Sequence, residues 1–192
     1  MTKMTGSELA AWRKARRAEL IALREAMPQE ERRAKQDAIE ATIRAQFTEL
    51  SRGIIGFYWP FRGEMGFHRL VRDLTDAGAR AALPVVVEKN QPLQFRTWQP
   101  GAPMTRGVWN IPVPAEGAAV RPTALIVPLV GFDGARYRLG YGGGYYDRTL
   151  AVMDPRPLTI GVGFEAMRLK TIHPEPHDIP MTAIVTEAGV LR

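Results

Sequence analysis

A run of glycines between an apolar segment and a helix-forming segment constrains the fold of this chain most. The run is Arg138-Leu139-Gly140-Tyr141-Gly142-Gly143-Gly144-Tyr145-Tyr146-Asp147-Arg148. Residues 124–130 before it are an apolar stretch typical of a buried strand, and residues 145–153 can continue as a helix. The first turn of a helix attracts anions, and glycine lets a ligand approach the backbone closely. The junction therefore predicts a phosphate-binding loop.

The run departs from both common nucleotide-binding motifs. It has no G-x-x-x-x-G-K-[ST] sequence, and Tyr145 stands where G-x-G-x-x-G has its third glycine. The side chains around the glycines still suit a nucleotide, because Arg138 and Arg148 can bind phosphate oxygens and Asp147 is a hard oxygen ligand for Mg²⁺. A glycine-rich surface turn with solvated arginines is the alternative interpretation.

With the preceding segment Val127-Pro128-Leu129-Val130-Gly131-Phe132-Asp133, the run resembles the signature of the 5-formyltetrahydrofolate cyclo-ligase family, also called methenyltetrahydrofolate synthetases. More loosely, the resemblance extends over most of the chain. It implies an ATP- and Mg²⁺-dependent cyclo-ligase that converts 5-formyltetrahydrofolate to 5,10-methenyltetrahydrofolate, with release of ADP and phosphate.

The resemblance also implies roles for individual residues. The residues expected to bind ATP are Arg13, Lys14, Arg17, Arg138, Leu139, Gly140, Tyr141, Gly142, Gly143, Gly144, Tyr145 and Tyr146. Those expected to bind the folate are Arg17, Trp59, Glu64, Tyr141, Gly142, Gly143, Gly144 and Tyr145. Asp147 and Asp178 are expected to hold Mg²⁺, and Arg138 and Tyr145 to take part in catalysis.

The predicted first helix carries a basic cluster. Arg13 and Arg17 are four residues apart and share a helix face, where they could bind one anion together or form a solvated charged face. The family usually has lysine at the first of these positions, so Arg13 and the adjacent Lys14 are both candidates. The apolar stripe of this helix is predicted from Leu9, Trp12, Leu20, Leu23 and Met27.

Two acidic residues outside the glycine run have competing interpretations. Glu64 follows a predicted strand, so it could bind a ligand at the strand end or favour the positive end of the next helix. Gly66 and Phe67 depart from the family pattern beside it. Asp178 lies among two histidines and Glu175, but the prolines of residues 173–180 and the lack of an H-x-x-x-H pattern argue against zinc.

Alternation of strand and helix patterns predicts one domain over residues 1–192, of the α/β class, with a mostly parallel, doubly wound, Rossmann-like sheet and helices on both faces. The predicted strands are residues 53–59, 81–87, 93–98, 124–130, 158–164 and 183–186. The first predicted helix ends near residue 27, and the other predicted helices span residues 28–50, 67–77 and 145–153. Residues 99–122 are predicted to be an ordered, proline-rich loop that carries no chemistry and is anchored by Val108, Trp109 and Ile111.

Composition limits the partners. The chain has no cysteine, no apolar run long enough for a membrane span and no secretion-signal core near Met1, which together predict a soluble cytoplasmic protein, and we expect a monomer. Its net charge of +6 suits small anionic substrates or nucleic acid. The alternatives are a basic RNA-binding protein, which would use the first-helix cluster with Trp98 and Trp109, and a diverged family member with another ATP-dependent substrate.

Overall fold

A computed structural model describes residues 4–192, so the first three residues of the predicted domain lie outside the described residues. The helices are α1 (Gly6–Ala26), α2 (Gln29–Gln46), α3 (His68–Asp76) and α4 (Tyr145–Val152), with 3₁₀ segments at Thr48–Ser51, Val108–Asn110 and Glu165–Met167. The strands are β1 (Ile54–Gly56), β2 (Arg80–Val85), β3 (Gln94–Trp98), β4 (Met104–Arg106), β5 (Pro112–Pro114), β6 (Ala119–Val120), β7 (Ala124–Pro128), β8 (Gly131–Phe132), β9 (Arg138–Leu139), β10 (Leu158–Val162), β11 (Ala183–Thr186) and β12 (Gly189–Leu191).

Eight strands form the central sheet, in the order β12-β11-β10-β7-β1-β2-β3-β6. Neighbours from β11 to β2 are parallel, whereas β12, β3 and β6 each pair antiparallel at the two edges. Helices flank this sheet, and α2 packs on β11 and β12 while α3 packs on β2. The predicted mostly parallel, doubly wound α/β fold is therefore confirmed.

The sheet reverses its winding direction at β1. The chain passes from β1 to β2 on one side and later returns to β7 on the other side. In open α/β sheets, ligands bind outside the carboxyl ends of the strands where this reversal occurs. The ends of β1 and β7 lead into Glu64 and into the glycine run, so two distant sequence segments meet at one crevice.

The apolar stripe predicted for α1 is only partly correct. Leu20 is buried in the core as predicted, but Leu23 is 48% exposed, and the buried positions of the helix are Arg13, Leu20, Ile21 and Arg24. The buried face of the helix therefore combines apolar residues that pack in the core with two arginines. In α2, by contrast, Ile39 and Ile43 are fully buried as their spacing predicts.

Residues 99–122 are not a simple loop. They contain the hairpin of β4 and β5, followed by β6 at the edge of the central sheet. The predicted apolar anchors of this segment are also incorrect for Val108 and Trp109, whose exposed fractions are 43% and 54%. Each strand is only two or three residues long, which leaves too short a pattern for sequence periodicity to reveal.

Candidate active site

A cavity of about 220 Å³ opens at the carboxyl ends of β1 and β7. All but two of the predicted site residues line it: Arg13, Arg17, Trp59, Glu64, Arg138, Leu139, Gly140, Tyr141, Gly142, Gly143, Gly144, Tyr145, Tyr146, Asp147 and Asp178. The exceptions are Lys14, which is exposed, and Arg148, whose Nη1 donates to the carbonyl oxygen of Gly143. Of the two candidates on α1, the structure therefore brings Arg13 and not Lys14 to the cavity.

The glycine run forms the loop that leads into α4. The strand-to-helix connection is longer than predicted, because the small hairpin of β8 and β9 stands between β7 and the glycines. Gly142 has φ +95° and Gly144 has φ +63°, which side chains with a Cβ rarely adopt. Gly144 is the N-cap of α4 and gives it no side-chain cap, so the first N–H groups of the helix remain available to an anion.

Arg13 connects α1 to the segment that contains Asp178. Its Nη2 donates to Asp178 Oδ2 at 2.6 Å and to the carbonyl oxygen of His173 at 2.8 Å. Burial raises the pKa of Asp178, but hydrogen bonds from Arg13 and from the Glu175 N–H outweigh it, so the net pKa is lowered. Asp178 is thus held as a carboxylate at the edge of the cavity.

Arg17 and Arg138 bring positive charge against the glycine run. Arg17 Nε donates to the carbonyl oxygen of Gly140 at 2.7 Å, and burial followed by the charge of Arg13 lowers the pKa of Arg17. The Nε atoms of Arg13 and Arg138 are buried without a hydrogen-bond partner among residues 4–192. Unpaired buried donors cost free energy, so these two side chains are kept at the cavity at some loss of stability.

The two predicted metal ligands lie on adjacent segments. Asp147 Oδ1 accepts from the N–H of Ile179, the residue after Asp178, at 3.1 Å. Asp147 Oδ2 accepts from Arg138, while Asp178 Oδ1 accepts no hydrogen bond from the described residues. Hard carboxylate oxygens with unused lone pairs fit Mg²⁺, which takes one or two carboxylates and completes its shell with water and phosphates.

The acids and histidines near Asp178 form only a partial cluster. Potential ligand atoms of Glu175, His177 and Asp178 lie within 4.8 Å of one another. His173 does not join them, because its ring packs edge-on against Trp12. The cluster has one histidine and two acids, and the Oδ2 atom of Asp178 already binds Arg13. The structure thus does not bring the two histidines of this segment together as a zinc site would require of them.

Glu64 lies on the other side of the cavity with a side chain that is only 5% exposed. Its Oε1 accepts from the Tyr141 hydroxyl at 2.8 Å, and its Oε2 accepts from the Phe61 N–H at 2.9 Å. Helix α3 begins only at His68 and has no acidic residue in its first turn, so Glu64 does not cap it. Of the two interpretations made from the sequence, the structure excludes the helix-end one and places Glu64 in the cavity wall.

Aromatic side chains form the wall next to Glu64. Trp109 stacks over Phe61, with ring centroids 6.5 Å apart and planes at 13°, and lies 6.3 Å from the Tyr141 ring. Tyr58 and Trp59 also line the cavity. Trp109 is half exposed at the tip of the β4–β5 hairpin, with φ +56°. A flat heterocycle is the natural occupant of such a wall.

Sequence reasoning did not identify Phe61, Trp109 or Arg24 as site residues. Arg24 follows Arg17 by two helical turns, so the spacing of Arg13, Arg17 and Arg24 could have shown a single basic stripe. Trp109 gave no comparable signal, because nothing in a proline-rich segment indicates that it folds over a cavity.

Two of the residues that the RNA-binding alternative would use are not exposed. Arg13 is 8% exposed and already bound to Asp178, and Trp98 packs edge-on against Phe57 at 5.2 Å. Among residues 4–192, no helix combines the length and the apolar character that crossing a membrane requires.

Comparison with known proteins agrees with this geometry. The chain is 30% identical over 179 residues to the 5-formyltetrahydrofolate cyclo-ligase of Mycolicibacterium smegmatis, covering 88% of this chain and 91% of that protein. It is 32% identical over 143 residues to the Escherichia coli K12 enzyme of the same name, covering 71% and 79%. The structure of Aquifex aeolicus 5,10-methenyltetrahydrofolate synthetase superposes with a TM-score of 0.80 at 27% identity, covering 94% and 92%. Residues 9–187 match the sequence profile of the 5-formyltetrahydrofolate cyclo-ligase family, and the chain belongs to this family.

Proposed function

We propose that the protein catalyses the ATP-dependent cyclisation of 5-formyltetrahydrofolate to 5,10-methenyltetrahydrofolate, with release of ADP and phosphate. One observation carries the proposal. A single cavity has a basic, glycine-lined part at Arg13, Arg17 and Arg138 and an aromatic part at Phe61 and Trp109, beside the buried carboxylate of Glu64. The first part suits a triphosphate and the second a reduced pterin, so the two reactants would meet inside one pocket.

The reaction needs a better leaving group than the formyl oxygen. Transfer of the γ-phosphoryl group to that oxygen releases ADP and gives an iminium phosphate. N10 of the same folate then attacks the formyl carbon and loses its proton, and the carbon–oxygen bond breaks with departure of phosphate. No side chain has to act as a nucleophile, because phosphoryl transfer is catalysed chiefly by position and electrostatics.

The residues at the phosphate end fit this task. Arg17 is fixed against the carbonyl of Gly140, and its two Nη groups have no hydrogen-bond partner among the described residues. Arg138 is 8% exposed and lies beside Asp147. These guanidiniums, together with the N–H groups of the glycine loop, would bind phosphate oxygens and neutralise charge as it moves. Tyr145, at the first position of α4, would border both reactants.

Asp147 and Asp178 are the residues that would hold Mg²⁺. A bound Mg²⁺ would neutralise phosphate charge and help to orient the triphosphate. Arg13 supports this arrangement from α1, because its ion pair with Asp178 keeps that carboxylate in place. At the opposite end, Glu64 would accept hydrogen bonds from N–H groups of the pterin.

The test is product formation by the purified protein. With ATP, Mg²⁺ and 5-formyltetrahydrofolate present, we expect the absorbance of methenyltetrahydrofolate to rise, with one ADP formed for each methenyl product. ADP formation without the methenyl product, or neither product, would contradict the proposal. A diverged substrate preference would appear as ATP hydrolysis stimulated by a different reduced folate.

A further inference from the structure

Arg24 is a buried arginine that does not line the cavity yet connects three of the segments around it. It lies in the last turn of α1 and is 3% exposed. Its guanidinium donates to the carbonyl oxygen of Arg62 at 3.0 Å, to that of Leu129 at 3.2 Å and to the Tyr141 hydroxyl at 2.5 Å. Arg62 follows β1, Leu129 follows β7 and Tyr141 belongs to the glycine run. One side chain therefore links α1 to both strand ends and to the loop.

The third of these bonds leads to the substrate side of the cavity. Tyr141 accepts from Arg24 and donates its own proton to Glu64 Oε1 at 2.8 Å. Arg24 Nη1 also lies 3.9 Å from the same carboxylate oxygen. Arg24, Tyr141 and Glu64 thus form a connected chain of a cation, a hydroxyl and an anion, in which the shortest bond that the hydroxyl donates goes to Glu64, and the Phe61 carbonyl lies at 3.5 Å.

We propose that Arg24 is a positioning residue, which orients the Tyr141 hydroxyl toward Glu64 and so keeps the Glu64 carboxylate ionised and aimed at the heterocycle of the substrate. This inference rests on the proposed function and adds to it a residue that touches neither reactant. It also assigns the aromatic end of the cavity to a ring that presents N–H donors, since only an ionised Glu64 offers acceptors alone.

The charges that face Glu64 support this assignment. Burial raises the pKa of Glu64, whereas Arg24, then the Tyr141 hydroxyl and the Phe61 N–H, act to lower it. The other titratable groups that interact with Glu64 are Tyr58 at the end of β1 and Tyr146 on α4, and the pKa of each is raised, first of all by burial. Both tyrosines therefore remain neutral, and the opposing positive charge comes from Arg24.

The three hydrogen bonds of Arg24 separate a role in orienting Glu64 from a role in stabilising the fold. Bonds to the Arg62 and Leu129 carbonyls alone would stabilise the fold without concerning the substrate. The bond to Tyr141 differs, because its effect passes to Glu64 inside the cavity. Arg24→Met, which keeps most of the apolar stem, removes all three bonds. Tyr141→Phe removes the hydroxyl that joins Arg24 to Glu64, with its contact to the Phe61 carbonyl, but leaves the two carbonyl bonds of Arg24 in place.

The experiment measures kcat and KM for reduced folate and for ATP, with pH profiles of kcat/KM, in Arg24→Met, Arg24→Lys, Tyr141→Phe and the double variant. Arg33→Met is the matched control, because Arg33 is exposed on α2. We expect Arg24→Met to raise the KM for folate about tenfold, with the KM for ATP nearly unchanged. In Arg24→Met, the acidic limb of the pH profile of kcat/KM should move to higher pH. In Arg24→Lys, this limb should remain as in the wild type, because lysine keeps the positive charge.

Coupling between the two residues is the decisive result. If they act as one unit, the double variant should raise the KM for folate by much less than the product of the two single effects. A lower melting temperature with the folate KM and the acidic limb both unchanged would overturn the proposal, as would independent, multiplicative effects. Should Arg24→Met fail to fold, Tyr141→Phe decides alone: a folded variant with an unchanged KM for folate contradicts the inference. Wild-type protein that forms no methenyl product would instead contradict the proposed function itself, and with it this inference.

Discussion

Arg138 and Asp147 form an ion pair at the mouth of α4, with Nη2 3.0 Å from Oδ2 and side chains only 5% and 14% exposed. Arg138 is proposed to bind phosphate and Asp147 to bind Mg²⁺. Before these ligands bind, the two side chains neutralise each other's charge. The pair keeps both side chains in place at the entrance to the glycine loop. Binding of Mg²⁺ and triphosphate would exchange this contact for charge-assisted contacts to the ligands.

Asp147→Asn tests the metal side of this pair. The amide oxygen can still accept from the Ile179 N–H, but the negative charge is lost. We expect kcat/KM for ATP to fall about 10- to 100-fold, most strongly at limiting Mg²⁺, with a small effect on the KM for folate. The control is Asp76→Asn, an exposed carboxylate at the end of α3. Turnover close to wild type at every Mg²⁺ concentration would show that Asp147 does not hold the metal.

Glu64→Gln tests the folate side, through activity and stability together. Loss of a charged acceptor for pterin N–H groups should lower kcat/KM for folate about 10- to 100-fold. The wild-type profile should show an acidic limb, since folate binding is lost as pH falls through the raised pKa of Glu64, and this limb should be absent from the variant.

The stability of the same variant should move in the opposite direction. Because the pKa of Glu64 is raised above its usual 4.5, the stability linked to its titration is fully present below pH 4.5 and is lost as pH rises through the folded-state pKa. Above that pKa the ionised, buried carboxylate costs stability relative to the neutral carboxyl group. Glu64→Gln should have an equal or higher urea midpoint at pH 7, and a clearly lower midpoint would refute this electrostatic account.

Trp109→Ala tests the aromatic wall. The side chain is half exposed and supports no core, so the variant should fold with an unchanged melting temperature. Loss of stacking, worth about 0.5–1.5 kcal/mol beyond buried area, should raise the KM for folate about threefold to tenfold and leave the KM for ATP unaltered. Trp109→Phe should restore most of the affinity. Equal effects on both substrates would show that the hairpin tip covers the nucleotide instead.

An ion pair far from the cavity provides a separate test of stability. Lys35 on α2 donates to Glu187, in the turn between β11 and β12, at 2.5 Å. Burial raises the pKa of Glu187, but hydrogen bonds from Lys35 and from two backbone N–H groups outweigh burial, so the net pKa is lowered. The same hydrogen bond to Glu187 raises the pKa of Lys35. The stability from Glu187 is thus present above pH 4.5 and is lost as pH falls through its lowered pKa.

Lys35→Met should therefore lower the free energy of unfolding by about 1 kcal/mol at pH 7. In urea titrations, the difference from wild type should shrink at acidic pH as Glu187 is protonated. Lys89→Met, at an exposed position in a turn, is the control and should have no effect. A difference that does not depend on pH would mean that Lys35 stabilises by packing alone.

The sequence predicted the parts of the structure that depend on local pattern. Apolar runs such as residues 124–130 and 158–164 identified the buried parallel strands, although β7 and β10 are shorter than these runs. The glycines, arginines and aspartate of residues 138–148 identified the glycine loop. Their effects, close approach of a ligand to the backbone and charge, depend on single residues and their spacing.

The parts that were missed depend on contacts between distant segments. Arg24 was overlooked because its partners, Arg62, Leu129 and Tyr141, lie 38, 105 and 117 residues away. Trp109 was assigned as an anchor because an aromatic residue in a loop is usually buried, whereas here its backbone turns it over the cavity. Sequence periodicity reveals which side of an element is apolar, but it does not reveal what lies opposite.

The central claim is that the cavity aligns the formyl oxygen of the folate with the γ-phosphorus of ATP. The direct measurement uses 5-formyltetrahydrofolate labelled with oxygen-18 in the formyl group and mass spectrometry of the released phosphate. If the formyl oxygen is phosphorylated, each methenyl product is accompanied by one phosphate that carries the label. Unlabelled phosphate, with the oxygen-18 recovered in water, would contradict the account.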